Sequence, residues 1–307
     1  MIQQKTLNFV KLKSGMIVTT VFFLWFSVFF DEYVETTMAY VLIMSFGVLH
    51  GANDIRLIQS ESSNSSKPTF LKTVVVYVLV VAGILALFFV FPLLALCLFI
   101  LISGYHFGEQ HWSKSMLVSS FWSTILYTIY GLFILFMIFY IQHEQVTAVL
   151  QDILNLELSK DLFGYVFFFL GAALLACGTF SYITKRTNAN VWEELFVLIV
   201  FFIIFHTASL LWGFCIYFIV WHSIPSLKDQ MDYLYGASSW KSLWLYVKDS
   251  ALYWVTSIIG LFILLWFLKD NTENMIAILI YFLAAITFPH VFVMSRLEKN
   301  LEANSKA

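Results

Sequence analysis

Residues 38–58 read MAYVLIMSFGVLHGANDIRLI, and this stretch predicts both the fold and a functional site. It is long enough for a membrane-spanning helix, which needs about 20 mainly apolar residues. Near its end, however, it carries His50, Asp54 and Arg56. Ionisable groups inside a bilayer are costly, and those that occur there usually serve a function. We therefore expect a membrane helix that contributes polar side chains to a site.

The composition of the whole chain agrees with a membrane location. Of its 307 residues, 61% are hydrophobic and 12% are charged, and the mean hydropathy is +0.84. Soluble domains carry about 25% charged residues. We expect an all-α fold, a polytopic integral membrane helix bundle that forms a single transmembrane domain over residues 1–307. The net charge of −2 gives no indication of a nucleic-acid partner.

Apolar stretches of spanning length divide the chain into about ten helices (nine to ten). The candidate spans are residues 15–31, 38–58, 71–91, 93–113, 118–141, 162–184, 192–207, 209–227, 249–268 and 275–296. With the N-terminus in the cytoplasm, only Lys160 and Lys269 of the 17 Lys and Arg residues fall on the outer side. Because cytoplasmic segments are enriched in Lys and Arg, we expect a multi-pass protein of the cell membrane with both termini in the cytoplasm.

Four of the seven histidines fall in even-numbered candidate spans, which all run in the same direction. They are His50, His106, His222 and His290. The next Lys or Arg follows six residues later in three cases and eight residues later after His106. Six helical residues correspond to about 9 Å, so all four histidines lie at nearly one depth in the inner half of the membrane. We expect their imidazoles to converge, whereas His143 and His206 fall at the outer boundary.

Four neutral imidazoles suit zinc, copper, iron or nickel. The zinc-protease pattern HExxH is excluded because no two histidines are three or four residues apart. His111 lies five residues after His106, about 140° around the helix, so the two cannot face one site, and the role of His111 stays open. Metal-bound imidazoles usually donate their second N–H to a carboxylate or carbonyl. Asp54 and Glu109 are placed to accept such hydrogen bonds.

Four segments of the chain resemble one known family. They are GVLHGANDIRLI (47–58), GYHFGEQHW (104–112), WHSIPSLKDQ (221–230) and FPHVFV (288–293). Together they are similar to the Brp/Blh family of membrane β-carotene 15,15′-dioxygenases, over residues 46–293. The resemblance implies an iron(II) enzyme that uses O₂ to split β-carotene at its central double bond, giving two molecules of all-trans-retinal. Delivery of the retinal to a rhodopsin is a further expectation of the family.

The resemblance also implies roles for individual residues. It makes His50, His106 and His222 iron ligands and Asp54 the acidic residue of the first motif. Some relatives place another histidine one turn after the third motif's histidine, but this chain has Ser226 at that position. His290 is therefore the expected fourth ligand.

β-Carotene dissolves in the bilayer and offers no hydrogen-bonding group, so it must be recognised by apolar shape. We expect the aromatic residues that flank the proposed ligands to line a substrate tunnel. These are Tyr105, Phe107, Trp112, Trp212, Tyr217, Trp221, Phe288 and Phe292.

Three other functions are compatible with the pattern. The first is a transporter, although the paired repeats and broken midplane helices typical of transporters are not evident in the sequence. The second is a haem protein that uses the four histidines in pairs as axial ligands. The third is a carotenoid- or retinal-binding protein without catalytic activity.

Overall fold

The computed structural model describes residues 2–61, 70–118, 120–156, 158–268 and 275–306. Within these ranges, the side chains of residues 2–11, 61 and 302–306 are not described. Almost all of this part of the chain is helical. The extended pairing found in it is an isolated bridge between Met116 and Thr187. The predicted all-α class is thus confirmed.

The helices follow one another in a simple order. They are α1 (Ile2–Phe29), α2 (Glu32–Leu42), α3 (Val48–Gly51), α4 (Asp54–Glu61), α5 (Phe70–Val90), α6 (Pro92–Trp112), α7 (Phe121–Ile141), α8 (His143–Leu154), α9 (Lys160–Ile183), α10 (Val191–Thr207), α11 (Leu210–Ile216), α12 (Ile224–Tyr235), α13 (Trp240–Leu268) and α14 (Met275–Lys306). Two π-helical segments, Ile43–Gly47 and Tyr217–Ser223, join α2 to α3 and α11 to α12.

Nine helices in the described part of the chain are long and apolar enough to cross a membrane. Two of them are composite: α2 to α4 form one span (Glu32–Ser60), and α11 and α12 form another (Leu210–Tyr235). The remaining candidate span, residues 192–207, corresponds to α10, whose 17 residues measure about 25 Å, less than the hydrocarbon thickness of about 30 Å. The prediction of nine to ten helices is therefore confirmed.

Polar contacts between helix ends show which ends share a face of the bundle. Where the apolar part of α1 begins, the Lys13 ammonium lies 3.2 Å from a carboxylate oxygen of Glu193 at the start of α10. On the opposite face, Glu35 in α2 accepts a hydrogen bond of 2.9 Å from the backbone N–H of Ser209, which follows α10. Helices α1 and α10 thus run in the same direction, and α2 begins on the other side, as the ten-segment division requires.

The position of His106 depends on a close crossing of α6 and α7. Gly104 and Gly108 of α6 form a GxxxG pattern, a spacing that lets membrane helices approach closely. A Cβ atom on Gly108 would overlap the backbone carbonyl of Tyr127, and one on Gly131 in α7 would overlap the carbonyl of Gly104. Glycine is therefore required on both sides of the crossing.

Substitution of Gly131 tests the importance of this crossing. We expect Gly131→Val to lower the yield and thermal stability of the detergent-solubilised protein strongly, because overlap with backbone can be relieved only by moving a helix and overpacking costs about 1–3 kcal/mol or more. The matched control is Gly178→Val in α9, where a Cβ would meet nothing within 4 Å. Equal thermal stability of the two variants, measured by a melting assay, would contradict this interpretation.

Candidate metal centre

Four histidine rings from four membrane segments converge in the core. The segments are α3 for His50, α6 for His106, the second π-helical segment for His222 and α14 for His290. All four side chains are buried, between 2% and 5% exposed. Ring centroids lie 4.8 Å apart for His50 and His290, 5.3 Å for His50 and His222, 4.7 Å for His106 and His222, and 5.2 Å for His106 and His290. Each imidazole thus contacts two others, and we call this arrangement the histidine quartet.

Hydrogen bonds on the outer side of two rings fix their tautomers. His50 Nδ1 contacts the carbonyl oxygen of Gly47, and His290 Nδ1 lies 2.8 Å from Oδ1 of Asp54. A carbonyl can only accept, and an ionised carboxylate likewise only accepts, so Nδ1 carries the proton in both rings. Each Nε2 is then left with a free lone pair, as metal binding requires.

The inner nitrogens have the properties expected of metal donors. Nε2 of His50, Nε2 of His290, Nδ1 of His222 and both nitrogens of His106 are buried and make no hydrogen bond. Buried polar atoms without a partner are rare and need an explanation. One donor atom each from His50, His222 and His290 lies within 4.8 Å of the others, the one such group of His, Cys, Asp or Glu residues found in the described part of the chain. These residues therefore fit a metal ion that prefers imidazole.

His106 completes the quartet but is not part of this triad of donor atoms. Its ring nevertheless packs edge-on against two of the triad's rings. The quartet is also closed, with every ring nearly perpendicular to its neighbours. A planar haem cannot be inserted between rings so arranged without separating them, so the geometry does not favour the haem alternative.

Both π-helical segments lie next to ligand positions. His222 is inside the second segment, and the first ends three residues before His50. An extra residue in a helical turn shifts the following side chains around the axis, and π-bulges are frequent at functional sites. At the first segment, the indole N–H of Trp254 donates to the Met44 carbonyl at 2.8 Å, which ties α13 to this irregular backbone.

Asp54 is held between two side chains. Its carboxylate accepts from His290 and also from the Tyr77 hydroxyl of α5, at 2.9 Å. The carboxylate, only 1% exposed, reaches a histidine on a neighbouring helix. The sequence placed Asp54 near the site, but it gave no signal for Tyr77, one of 15 tyrosines.

The backbone of His50 is supported by a second group of polar residues that the sequence analysis missed. The His50 carbonyl accepts from the Gln230 amide at 2.8 Å and from the Tyr246 hydroxyl at 2.9 Å. Gln230 in turn donates to Ser226 Oγ at 3.2 Å. Ser226, the position where some relatives carry a histidine, therefore belongs to the network that supports His50.

Glu109 contacts the side chains of two neighbouring polar residues. Its carboxylate contacts the Tyr105 hydroxyl and accepts from Ser295 at 2.7 Å. The predicted hydrogen bond from a ligating imidazole to Glu109 is not among these contacts, and it stays a prediction.

The remaining histidines lie outside the quartet. Nε2 of His111 lies 2.6 Å from a carboxylate oxygen of Glu194 in α10, and its ring stacks on Tyr130 at 4.5 Å. It thus faces away from the quartet, as its spacing from His106 predicts. His143 begins α8, and His206 is exposed near the end of α10.

Two cavities adjoin the quartet. The histidine cavity, of about 70 Å³, is lined by all four imidazoles and by Tyr77, Ser257 and Thr287. The apolar cavity, of about 320 Å³, extends between α6, α7, α8, α9, α11 and α14, and Ser103 is its one hydroxyl-bearing lining residue. The two cavities share five lining residues: Phe99, Ser103, Phe107, Phe214 and Leu283. An apolar space therefore adjoins the cavity that the proposed metal ligands line.

The eight aromatic residues expected to line a substrate tunnel occupy different places in the structure. Of the eight aromatic residues, only Phe107 lines either cavity. Trp212 and Trp221 instead donate their indole N–H groups to α1, at Ser27 and Thr20, and Phe292 is 67% exposed. The others, Tyr105, Trp112, Tyr217 and Phe288, also line neither cavity.

Helix geometry accounts for much of the lining. Residues next to a ligand in sequence point about 100° away from it, whereas residues three, four or seven positions away share its face. Ser103 precedes His106 by three, Phe218 precedes His222 by four, and Leu283 precedes His290 by seven. Two residues adjacent to a ligand, Gly51 and Phe107, also line the histidine cavity.

Substitutions at Asp54 and Tyr77 test how the quartet is oriented. We expect Asp54→Asn to weaken metal binding by the quartet about 10–100-fold, the usual effect of losing the partner of a ligating histidine. Tyr77→Phe removes one hydrogen bond to Asp54 and should have a smaller effect in the same direction. Metal affinity is measured by competition with a chelator. Unchanged affinity in Asp54→Asn would show that Asp54 does not orient His290.

Comparison with protein families gives one match. A family model described as "Beta-carotene 15,15'-dioxygenase" matches residues 41–298, which contain the whole quartet and Asp54. Comparisons with curated proteins and with solved structures give no match. The family match spans most of the chain and confirms the resemblance that four sequence segments indicate.

Proposed function

Because the chain belongs to the beta-carotene 15,15'-dioxygenase family, we propose that it cleaves β-carotene at the central 15,15′ double bond with O₂ and releases two molecules of retinal. Each carbon of the broken double bond receives one atom of O₂, so no other oxidant or reductant is needed. The observation that supports this proposal best is the quartet of buried imidazoles next to an apolar cavity.

We propose iron(II) as the cofactor, held by His50, His106, His222 and His290. Imidazole sites suit several transition metals, but zinc has no redox chemistry, and a reaction that consumes O₂ needs an ion that can exchange electrons. When bound, iron would supply the activation of O₂. Asp54 would keep His290 in the binding tautomer, and the Gly47 carbonyl would do the same for His50.

The chain's apolar residues would supply recognition and exclude water. Phe107 packs against the His222 ring with centroids 4.8 Å apart and lines both cavities. A polyene passing from the apolar cavity into the histidine cavity would lie beside this ring. Since the lining offers almost no hydrogen-bonding group, the substrate would be selected by shape and hydrophobicity.

The solubility of the substrate agrees with a membrane location of the protein. β-Carotene partitions into the bilayer, and the many apolar helices indicate a multi-pass membrane protein. We propose the cell membrane as its location, with both termini in the cytoplasm, on the basis of the Lys and Arg distribution. Delivery of retinal to a rhodopsin is a further part of this proposal.

Expression in bacterial cells that accumulate β-carotene tests the function. The proposed activity would bleach the cells and produce retinal, identified by chromatography and mass spectrometry. Pigment that is retained without retinal would instead indicate a carotenoid-binding protein, and unchanged pigment with no binding would contradict both functions.

A further inference from the structure

The apolar cavity has long walls that lead away from the quartet. On α6 its lining runs from Phe107 back to Leu93, and on α14 from Leu283 back to Ile276. At 1.5 Å per residue, Leu93 is about 20 Å from His106 and Ile276 about 21 Å from His290 along their helices. The cavity therefore extends from the quartet towards the opposite end of both helices.

A short amphipathic helix, α8, contributes a wall at that end. Its 12 residues measure about 18 Å, too short to cross a membrane. Its buried face, Val146, Val149, Leu150 and Ile153, turns inward, and the first three line the cavity. The other face carries Glu144, Gln151 and Asp152, of which the first two are exposed.

Helix α8 is fixed to its neighbours by hydrogen bonds. The amide of Gln142, just before α8, donates to the carbonyls of Phe205 and Ala208, both at 2.8 Å. The Gln145 side chain accepts from the backbone N–H of Leu210 at 3.0 Å. A helix anchored in this way can serve as a fixed boundary of the cavity.

We propose that α8 is the stop against which one ring of the carotenoid rests, so that its distance from the quartet determines which double bond is cleaved. This inference rests on the proposed function and adds the residues that set its regiospecificity, Val149 and Leu150. Ser103 is the one hydroxyl-bearing residue of the apolar lining, and a hydrocarbon polyene cannot form a hydrogen bond with it, so polar contacts do not fix the polyene along the cavity. A steric stop at the end is the remaining way to fix it.

The dimensions agree with this role. Nine bonds separate the central carbon of β-carotene from its ring, a length of about 10 Å if three extended bonds span about 3.5 Å. The ring would then lie beside Phe99, seven residues before His106, with Leu96 and α8 beyond it. Moving the polyene by one double bond requires about 2.3 Å on the same scale, comparable to the shortening of one Leu side chain to Ala.

Two α8 variants, one with shorter side chains and one with a larger side chain, test the proposal. In Val149→Ala/Leu150→Ala the ring should move away from the quartet. The double bond adjacent to the central one should then be cleaved, and two carbonyl products of unequal length should replace retinal as the major products. Leu150→Trp should displace the polyene the other way, so the fragment that carries the ring held in the cavity becomes shorter. Products are separated and identified by mass, and in every case the two fragments together contain all the carbons of the substrate.

The same product analysis is applied to a control variant. Leu175→Ala in α9, where the side chain is 68% exposed and lines neither cavity, should give retinal alone. The proposed role of α8 as a stop is contradicted if retinal stays the sole product of both α8 variants, or if both variants lose all turnover while binding iron normally. Leu150→Val provides a milder test if the double variant does not accumulate. Absence of any cleavage by the unmodified protein would instead contradict the proposed function.

Discussion

Alanine in place of any one of His50, His106, His222 or His290 is expected to abolish retinal formation. The donor atoms of the quartet are buried and make no hydrogen bond, so each imidazole lost would remove a ligand that nothing nearby replaces. We expect turnover to fall at least about 10³-fold and bound iron to fall in parallel, because metal affinity depends on ligand number and geometry. Retinal production in β-carotene-accumulating cells and the iron content of the purified variants measure the two effects.

Two histidines outside the quartet serve as matched controls. His143→Ala and His206→Ala remove imidazoles from the start of α8 and the exposed surface of α10, and both should keep iron and activity. If all six variants behave alike, the assignment of the quartet is wrong. His106→Ala is the most informative single variant, because His106 lies outside the triad of donor atoms and its ligand role depends on the quartet acting as a unit.

Blocking the passage between the two cavities should have the second largest effect. Ser103 lines both cavities and is 3% exposed. Ser103→Phe would place a ring at the boundary of the two cavities, where we propose that the polyene passes, so we expect β-carotene turnover to fall about 10²-fold, the upper end of an overpacking cost of about 1–3 kcal/mol. Iron binding should persist because no ligand is changed.

The control for this prediction is Ser103→Ala. The Ser103 hydroxyl is buried without a hydrogen-bond partner, and removing such a group is nearly neutral or stabilising. Turnover by Ser103→Ala should therefore match that of the unmodified protein. Normal turnover by Ser103→Phe would show that the substrate does not use this passage.

The convergence of the four histidines could be predicted from the sequence because depth in a membrane is encoded in the chain. Apolar length gives the spans, and the Lys and Arg residues mark their cytoplasmic ends. His50, His222 and His290 each precede such a residue by six positions, so their common level follows from helix rise alone. The structure adds the lateral packing of the helices that brings the four rings together. The spacing of residues along the chain does not show which helices are neighbours.

Other parts of the site depend on contacts between residues far apart in sequence. Tyr77 reaches Asp54 across the gap between α4 and α5, and Tyr246 reaches the His50 carbonyl from α13. Tyrosines on apolar helices are common, and neither has a neighbour that distinguishes it. The aromatic residues next to the ligands show a different limit of sequence reasoning: adjacency to a ligand does not place a residue on its face, because helical periodicity decides which residues share that face.

The central claim is that the quartet holds one iron(II) ion on which cleavage depends. The most direct test removes metal from the purified protein with a chelator and then adds iron(II) or zinc(II) separately, with retinal formation and bound metal measured together. We expect activity to disappear with the metal, to return with one iron ion per chain and not to return with zinc. Full retinal formation by the metal-free protein, or equal activity with zinc, would contradict it.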